Sequence, residues 1–152
     1  MASANLNEFI PEGCVQFSQA QTFLVAASEA AELLVKAGIA PNTYPTEVVE
    51  IIQEQGPYMV IAPHLAIVHG RPSESSISTA ASVLIGKSGW VSGNDKNDPV
   101  QIIFAISATD DEQHIEMLRT LAAFLVIPSV ISDLQKSSTV SEVRQILSQS
   151  LR

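Results

Sequence analysis

The sequence predicts an α/β domain in which helices cover a central sheet. Three observations lead there. Segments with helical spacing of apolar residues alternate with short apolar runs that read as buried strands. The clearest strand is Val100 to Ser107 (VQIIFAIS), bounded by a loop-like stretch before it and an acidic helix start after it. The chain has 152 residues, 46% apolar and only 16% charged, enough to bury one core and too apolar to stay unfolded.

The elements follow in order. Residues 1–15 read as a lead-in closing at Pro11-Glu12-Gly13. Ser18 to Ala37 reads as an amphipathic helix, with Ala20, Phe23, Leu24, Ala27, Ala30, Ala31, Leu34 and Val35 on its apolar face and Gly38 just past its end. Pro45-Thr46-Glu47 opens a second helix that turns Val48, Val49, Ile51 and Ile52 inward and stops at Gly56-Pro57. Tyr58 to Ala62 is a short buried strand, and Leu65 to Val68 is another, ending at His69. Ser76 to Ile85 is a strand closed by a turn at Gly86-Lys87-Ser88-Gly89. Ser92 to Pro99 is the most loop-like segment. Asp110-Asp111-Glu112 starts a helix, since carboxylates suit the positive end of the helix dipole. Its stripe is Ile115, Leu118, Leu121, Ala122 and Leu125. A short helix broken by Pro128 spans Ile127 to Leu134, and Thr139-Val140-Ser141-Glu142 starts the last one. No repeat or low-complexity segment is present, so one domain over 1–152 is expected.

Charge and cysteine content narrow the function classes. The net charge is −8, and the eight basic residues are scattered. That argues against nucleic acid or an anionic membrane as partner. No apolar run is long enough to span a bilayer, and the first residues lack a signal-peptide pattern, so a cytoplasmic protein is expected. The single cysteine, Cys14, has nothing basic beside it and reads as a small buried group.

Chemistry concentrates on histidine. Ile61 to Pro72 (IAPHLAIVHGRP) holds two of the three histidines at the end of an apolar run. His69 stands at a strand–turn junction, where a side chain is rigidly held and still meets solvent. It reads as a nucleophile or general base, or else as a turn histidine capping a carbonyl. Gly70 permits close backbone approach and Arg71 adds a fixed positive charge, so the two support an anionic ligand at this point. Strand alternation turns His64 away from His69, and His64 reads as structural. His114 is either a surface residue at a helix start or a second imidazole facing His69 across the sheet edge. No HxH or HExxH spacing is present, and no metal site or cofactor is expected. Dinucleotide, phosphate-loop and nucleophile-elbow motifs are absent.

Gly56-Pro57-Tyr58-Met59-Val60-Ile61-Ala62-Pro63, followed by Ala66-Ile67-Val68-His69-Gly70-Arg71-Pro72, resembles the active-site segment of IIA components of bacterial sugar phosphotransferase systems. The resemblance is to the fructose–mannitol superfamily and is nearest its ascorbate/pentitol-type branch. Asn97-Asp98-Pro99-Val100 and Asp110 to Leu118 fit the same pattern, and the likeness runs from about Ser28 to Leu147. It implies a mixed β-sheet sandwiched between helices. It implies that His69 accepts a phosphoryl group from the phosphocarrier HPr and gives it to a cysteine of a IIB component, which serves the membrane permease IIC. It implies that His114 helps hold that group. A regulatory role for histidine phosphorylation is the alternative, and a homo-oligomer is left open. Two departures stand out. Val68 replaces a proline common in the family, and Gln53 lies near the place of an arginine found in the mannitol branch.

Overall fold

The protein, seen in a computed structural model, is described over residues 6–71, 76, 78–125 and 127–149. Five strands form one mixed sheet: β1 (Val15–Phe17), β2 (Val60–Ala62), β3 (Leu65–His69), β4 (Ala80–Trp90) and β5 (Val100–Ser107). Their order across the sheet is β1-β4-β5-β3-β2. The pairs β1–β4 and β3–β5 are parallel, and β4–β5 and β2–β3 are antiparallel. Five helices accompany them: α1 (Phe23–Lys36), α2 (Tyr44–Gln55), α3 (Asp111–Leu125), α4 (Pro128–Lys136) and α5 (Val140–Leu147).

Strand β5 is the centre of the core. Ile102, Ile103, Phe104, Ala105 and Ile106 are all at most 1% exposed, so both faces of the strand are covered. That explains why its sequence reads as a continuous apolar run and not as an alternation. Helix α1 packs on β3, β4 and β5, while α3 and α4 also pack on β5. Alanines at Ala26, Ala27, Ala30 and Ala31 let α1 approach the sheet closely, and Ser82 of β4 spends its hydroxyl on the Ala30 carbonyl at 2.7 Å.

Several sequence expectations change once the chain is folded. The lead-in is part of the fold. Leu6 and Ile10 are buried, and β1 begins at Val15. Arg144 of α5 donates to Asn7 Oδ1 (2.7 Å), the Ile10 carbonyl (2.6 Å) and the Pro11 carbonyl (2.7 Å), which ties this segment down. Helix α1 starts five residues after Ser18, because residues 18–22 wrap around Trp90, whose indole N–H donates to the Ala20 carbonyl at 2.9 Å. Thr22 then caps the helix. Tyr58 lies in a short 3-10 turn (Pro57–Met59) that precedes β2.

Gly86 to Gly89 do not end a strand. β4 runs through them with a register shift between Ile85 and Trp90, and Gly89 takes a positive φ of 76°. Gly86 is required there because the Trp90 ring lies against its Cα. Pro128 opens α4 and does not break a helix, since a first-turn proline has no needed N–H to lose. The inward stripe of α3 is Met117, Leu121, Phe124 and Leu125. Ile115 is 49% exposed and Ala122 is exposed. Leu118, Leu121 and Leu125 of the expected stripe face the core, and Met117 and Phe124 join them. The Thr139–Glu142 start is a reciprocal capping box.

Arg144 is half-buried and its three contacts are charge-assisted, each such bond contributing about 1.5–3 kcal/mol. Arg144→Ala should therefore lower the unfolding free energy by at least about 2 kcal/mol, read from the urea midpoint. Amides of residues 6–14 should lose hydrogen-exchange protection ahead of the core strands.

Candidate functional site

The parallel pairing of β3 with β5 places His69 opposite Ile106, at the carboxyl ends of both strands. In open α/β sheets this edge is where ligands gather. Beyond β5 the chain turns through Ala108 to Asp110 into α3, so His114 arrives in the first turn of that helix. Asp110 accepts from the Gln113 N–H at 2.8 Å and fixes the helix start. The two imidazoles meet edge to face, with centroids 4.8 Å apart and planes at 84°. His114 is thus the second imidazole facing His69, and the surface alternative is set aside by the contact.

Helix α2 holds the chain just after His69. The Tyr44 hydroxyl accepts from the Gly70 N–H at 3.3 Å, and the Glu47 carboxylate accepts from the Arg71 N–H. Burial pushes the Tyr44 phenol far above its usual range, so it is a neutral hydroxyl. The backbone N–H groups of Gly70 and Arg71 are therefore both taken by α2. The Arg71 side chain is exposed and lines the site.

A shallow depression of about 490 Å³ surrounds the pair, lined by His69, His114, Arg71, Asp111 and an apolar set of Ile51, Tyr58 and Ile115. Sequence patterning places Ile51 and Ile115 in the core; Ile51 is half-buried against it and also lines the depression, while Ile115 is exposed on the rim. Tyr58 is 53% exposed, and the only hint of this was its aromatic ring beside the Gly56-Pro57 break. Gln53 lies away from the site. The α2 side chains that reach it are Ile51 and Gln55.

His64 stands at the other end of β3, in the turn between β2 and β3. Its φ is 69°, and Nδ1 pairs with the Pro99 carbonyl at 2.8 Å. Its own N–H donates to the Asn97 carbonyl at 2.9 Å. The Asn97-Asp98-Pro99 segment thus braces the turn that starts β3. Cys14 is buried and its thiol donates to the Leu33 carbonyl at 3.4 Å, while burial pushes its pKa up. Among the described residues no three His, Cys, Asp or Glu side chains converge as metal ligands would. Pro72 and Glu74 lie outside the described residues.

Electrostatics make both rings neutral. Burial lowers the pKa of His69, partly offset by its contact to the Gly70 carbonyl. Burial also lowers that of His114, with His69 acting in the same direction and Asp111 against it. The His69 Nδ1 lies 3.4 Å from the Gly70 oxygen. A carbonyl can only accept, so this contact favours the tautomer with the proton on Nδ1 and the lone pair on Nε2.

Fold and site together define an α/β domain with a neutral, paired-histidine centre on the carboxyl edge of its sheet. The chain belongs to the EIIA 2 family of the phosphoenolpyruvate-dependent sugar phosphotransferase system, whose pattern matches residues 8–150. The ascorbate-specific phosphotransferase-system EIIA component of Escherichia coli K12 is 35% identical over 100 residues, which cover 66% of this chain and 65% of that protein. This chain therefore aligns with slightly under two thirds of its curated relative. The solution structure of the mannitol-specific cryptic enzyme IIA from Escherichia coli superposes with a TM-score of 0.85 at 23% identity, covering 95% of this chain and 99% of that one. The mannitol IIA in a complex with its phosphorylated IIB, also from Escherichia coli, gives a TM-score of 0.79 at 23% identity, with 91% and 96% covered. Among the described residues no single helix is long and apolar enough to cross a membrane.

The lowered histidine pKa values set a pH dependence of stability. The unfolded chain takes up protons near the ordinary value of 6.5, before the folded one does. Stability is therefore full above that value and declines as pH falls below it and through the folded pKa values. Acidifying from pH 7 to 5 should lower the urea midpoint of the wild type. His69→Asn should show a smaller acid loss over the same window.

Proposed function

We propose that the protein is a cytoplasmic phosphoryl carrier, with His69 the residue that holds the group. The observation that carries the reading is the His69 ring itself: half-buried at the strand end, with Nδ1 against the Gly70 carbonyl and the ring edge to face with a second imidazole. The Nε2 lone pair attacks the phosphorus of a donor phosphohistidine in line, the donor P–N bond breaks, and the donor ring leaves. The reverse sequence on an acceptor thiolate discharges the group. Imidazole is both a good nucleophile toward phosphorus and a good leaving group from it. Positioning and charge stabilisation are what the protein must add.

His114 supplies a ring N–H to a phosphoryl oxygen, and the Arg71 guanidinium supplies charge from the rim. Gly70 lets the strand end pass close to α2. HPr as donor and a IIB cysteine as acceptor follow from the family, and the IIB partner is supported by the mannitol complex. The apolar rim of Ile51, Tyr58 and Ile115 suits two partners that dock in turn and leave. The relative named for ascorbate makes an ascorbate-like substrate of the coupled permease the leading choice. That transport name also favours the carrier over the regulatory alternative.

With enzyme I, HPr and phosphoenolpyruvate, label should map to His69. His69→Ala should abolish it, and label surviving in that variant would sink the assignment. His64→Ala should leave labelling intact. His114→Ala should slow transfer by about tenfold or more, as expected for loss of one charge-assisted bond of about 1.5–3 kcal/mol.

The acidic balance makes a second expectation. The family's HPr proteins present a basic and apolar face, so Asp111 on the rim, with Asp110 and Glu74 nearby in sequence, should steer the encounter. Asp111→Asn should lower the rate of transfer from phospho-HPr at low salt and flatten its salt dependence. Stopped-flow rates at 20–500 mM salt, a range spanning Debye lengths from about 20 to 4 Å, would show it.

A further inference from the structure

Glu47 is not among the residues that the family resemblance or the motif pattern marks, yet it touches the chain at the point that governs His69. The Gly70 carbonyl and the Arg71 N–H belong to one peptide unit. That unit is planar and trans, so its two polar groups point in opposite directions. On one side the N–H donates to Glu47. On the other side the carbonyl accepts from His69 Nδ1–H. The Gly70 N–H, one peptide earlier, is held by the Tyr44 hydroxyl, so the neighbouring His69–Gly70 peptide is also anchored to α2.

We propose that Glu47 is a positioning residue for His69, acting through the Gly70–Arg71 peptide as a carboxylate–peptide–imidazole relay. The carboxylate pins the N–H and so aims the carbonyl at the ring. It also polarises the amide, making the carbonyl a stronger acceptor, since hydrogen bonds in series reinforce one another. The ring is thereby kept in the Nδ1–H tautomer, and Nε2 is left free at the site. Many enzymes achieve the same with a carboxylate placed directly on the histidine. Here a peptide bond is interposed, so the acid stays away from the incoming anion.

Gly70 is explained by the same geometry. A Cβ there would stand 2.5 Å from Glu47 Oε1 and 2.9 Å from the Tyr44 ring. Any larger residue would push the carboxylate off the Arg71 N–H. Glu47 sits on α2 four residues before Ile51, so the helix face that carries the apolar rim also carries the relay.

The consequence for transfer rests on the carrier reading, and the tautomer does not. Long-range ¹H–¹⁵N spectra of the full-length protein report the His69 tautomer directly. The wild type should show Nδ1–H with an unprotonated Nε2. Glu47→Ala should give a mixture of tautomers in a protein whose amide spectrum is otherwise folded. Its phosphoryl uptake from phospho-HPr should fall about fivefold to tenfold, the loss expected for one hydrogen bond. Glu47→Gln keeps an acceptor oxygen and should retain the tautomer, with uptake within about twofold of wild type. An unchanged His69 tautomer in folded Glu47→Ala would overturn the relay. A wild type with the expected tautomer that never takes label at His69 would instead refute the carrier reading and leave the relay standing.

Discussion

The parallel pairing of β3 with β5 is the constraint on which this molecule depends. It brings the ends of two strands, separated by 37 residues in the sequence, to the same edge of one sheet. His69 ends one strand, and the helix that carries His114 follows the other. The pairing is held by burial: every residue from Leu65 to Val68 and from Ile102 to Ile106 is inaccessible to water or nearly so. A register slip of one residue would turn His69 to the opposite face and move it away from His114. Site geometry and core packing are therefore the same problem, solved once.

Half-burial is what makes the site chemically suitable. A fully exposed histidine would exchange protons freely, and a fully buried one would meet no partner. Here the end of a strand and the start of a helix leave one edge of each ring open, while the rest is desolvated. Desolvation favours the neutral ring, the nucleophilic form. His69 also disfavours charge on His114 across 4.8 Å. The apolar side chains of Ile51, Tyr58 and Ile115 around them extend the low-polarity surface outward.

Helix α2 has two roles that its amphipathic pattern does not separate. Val48 and Ile52 are buried and anchor it, while Tyr44 and Glu47 reach across to the backbone after His69. At the far end of β3, the Asn97-Asp98-Pro99 segment holds the turn at His64. The strand is thus clamped at both ends by segments distant in sequence. One motif thus supports the start of the strand and the other forms its end at His69.

Much of this was legible in the chain itself. Apolar periodicity marked the helices, the continuous run at Val100 to Ser107 marked the central strand, and His69 beside Gly70 marked a strand end. Those signals are local, because hydrophobic spacing and turn residues act over a few positions. Other features depend on partners far along the chain. The stripe read on α3 holds at Leu118, Leu121 and Leu125, and only contact with β5 adds Met117 and Phe124 and leaves Ile115 and Ala122 outside. It contains glycines at Gly86 and Gly89 that read as a turn, and only pairing across a shifted register keeps β4 running through them. Residues 6–15 look like a tether until Arg144 is placed upon them. Above all, no spacing rule joins Glu47 to the peptide after His69, or His69 to His114. Residue types and local elements were set by short-range chemistry along the sequence. Their meeting was decided by burial and strand pairing over long range, which no local pattern encodes.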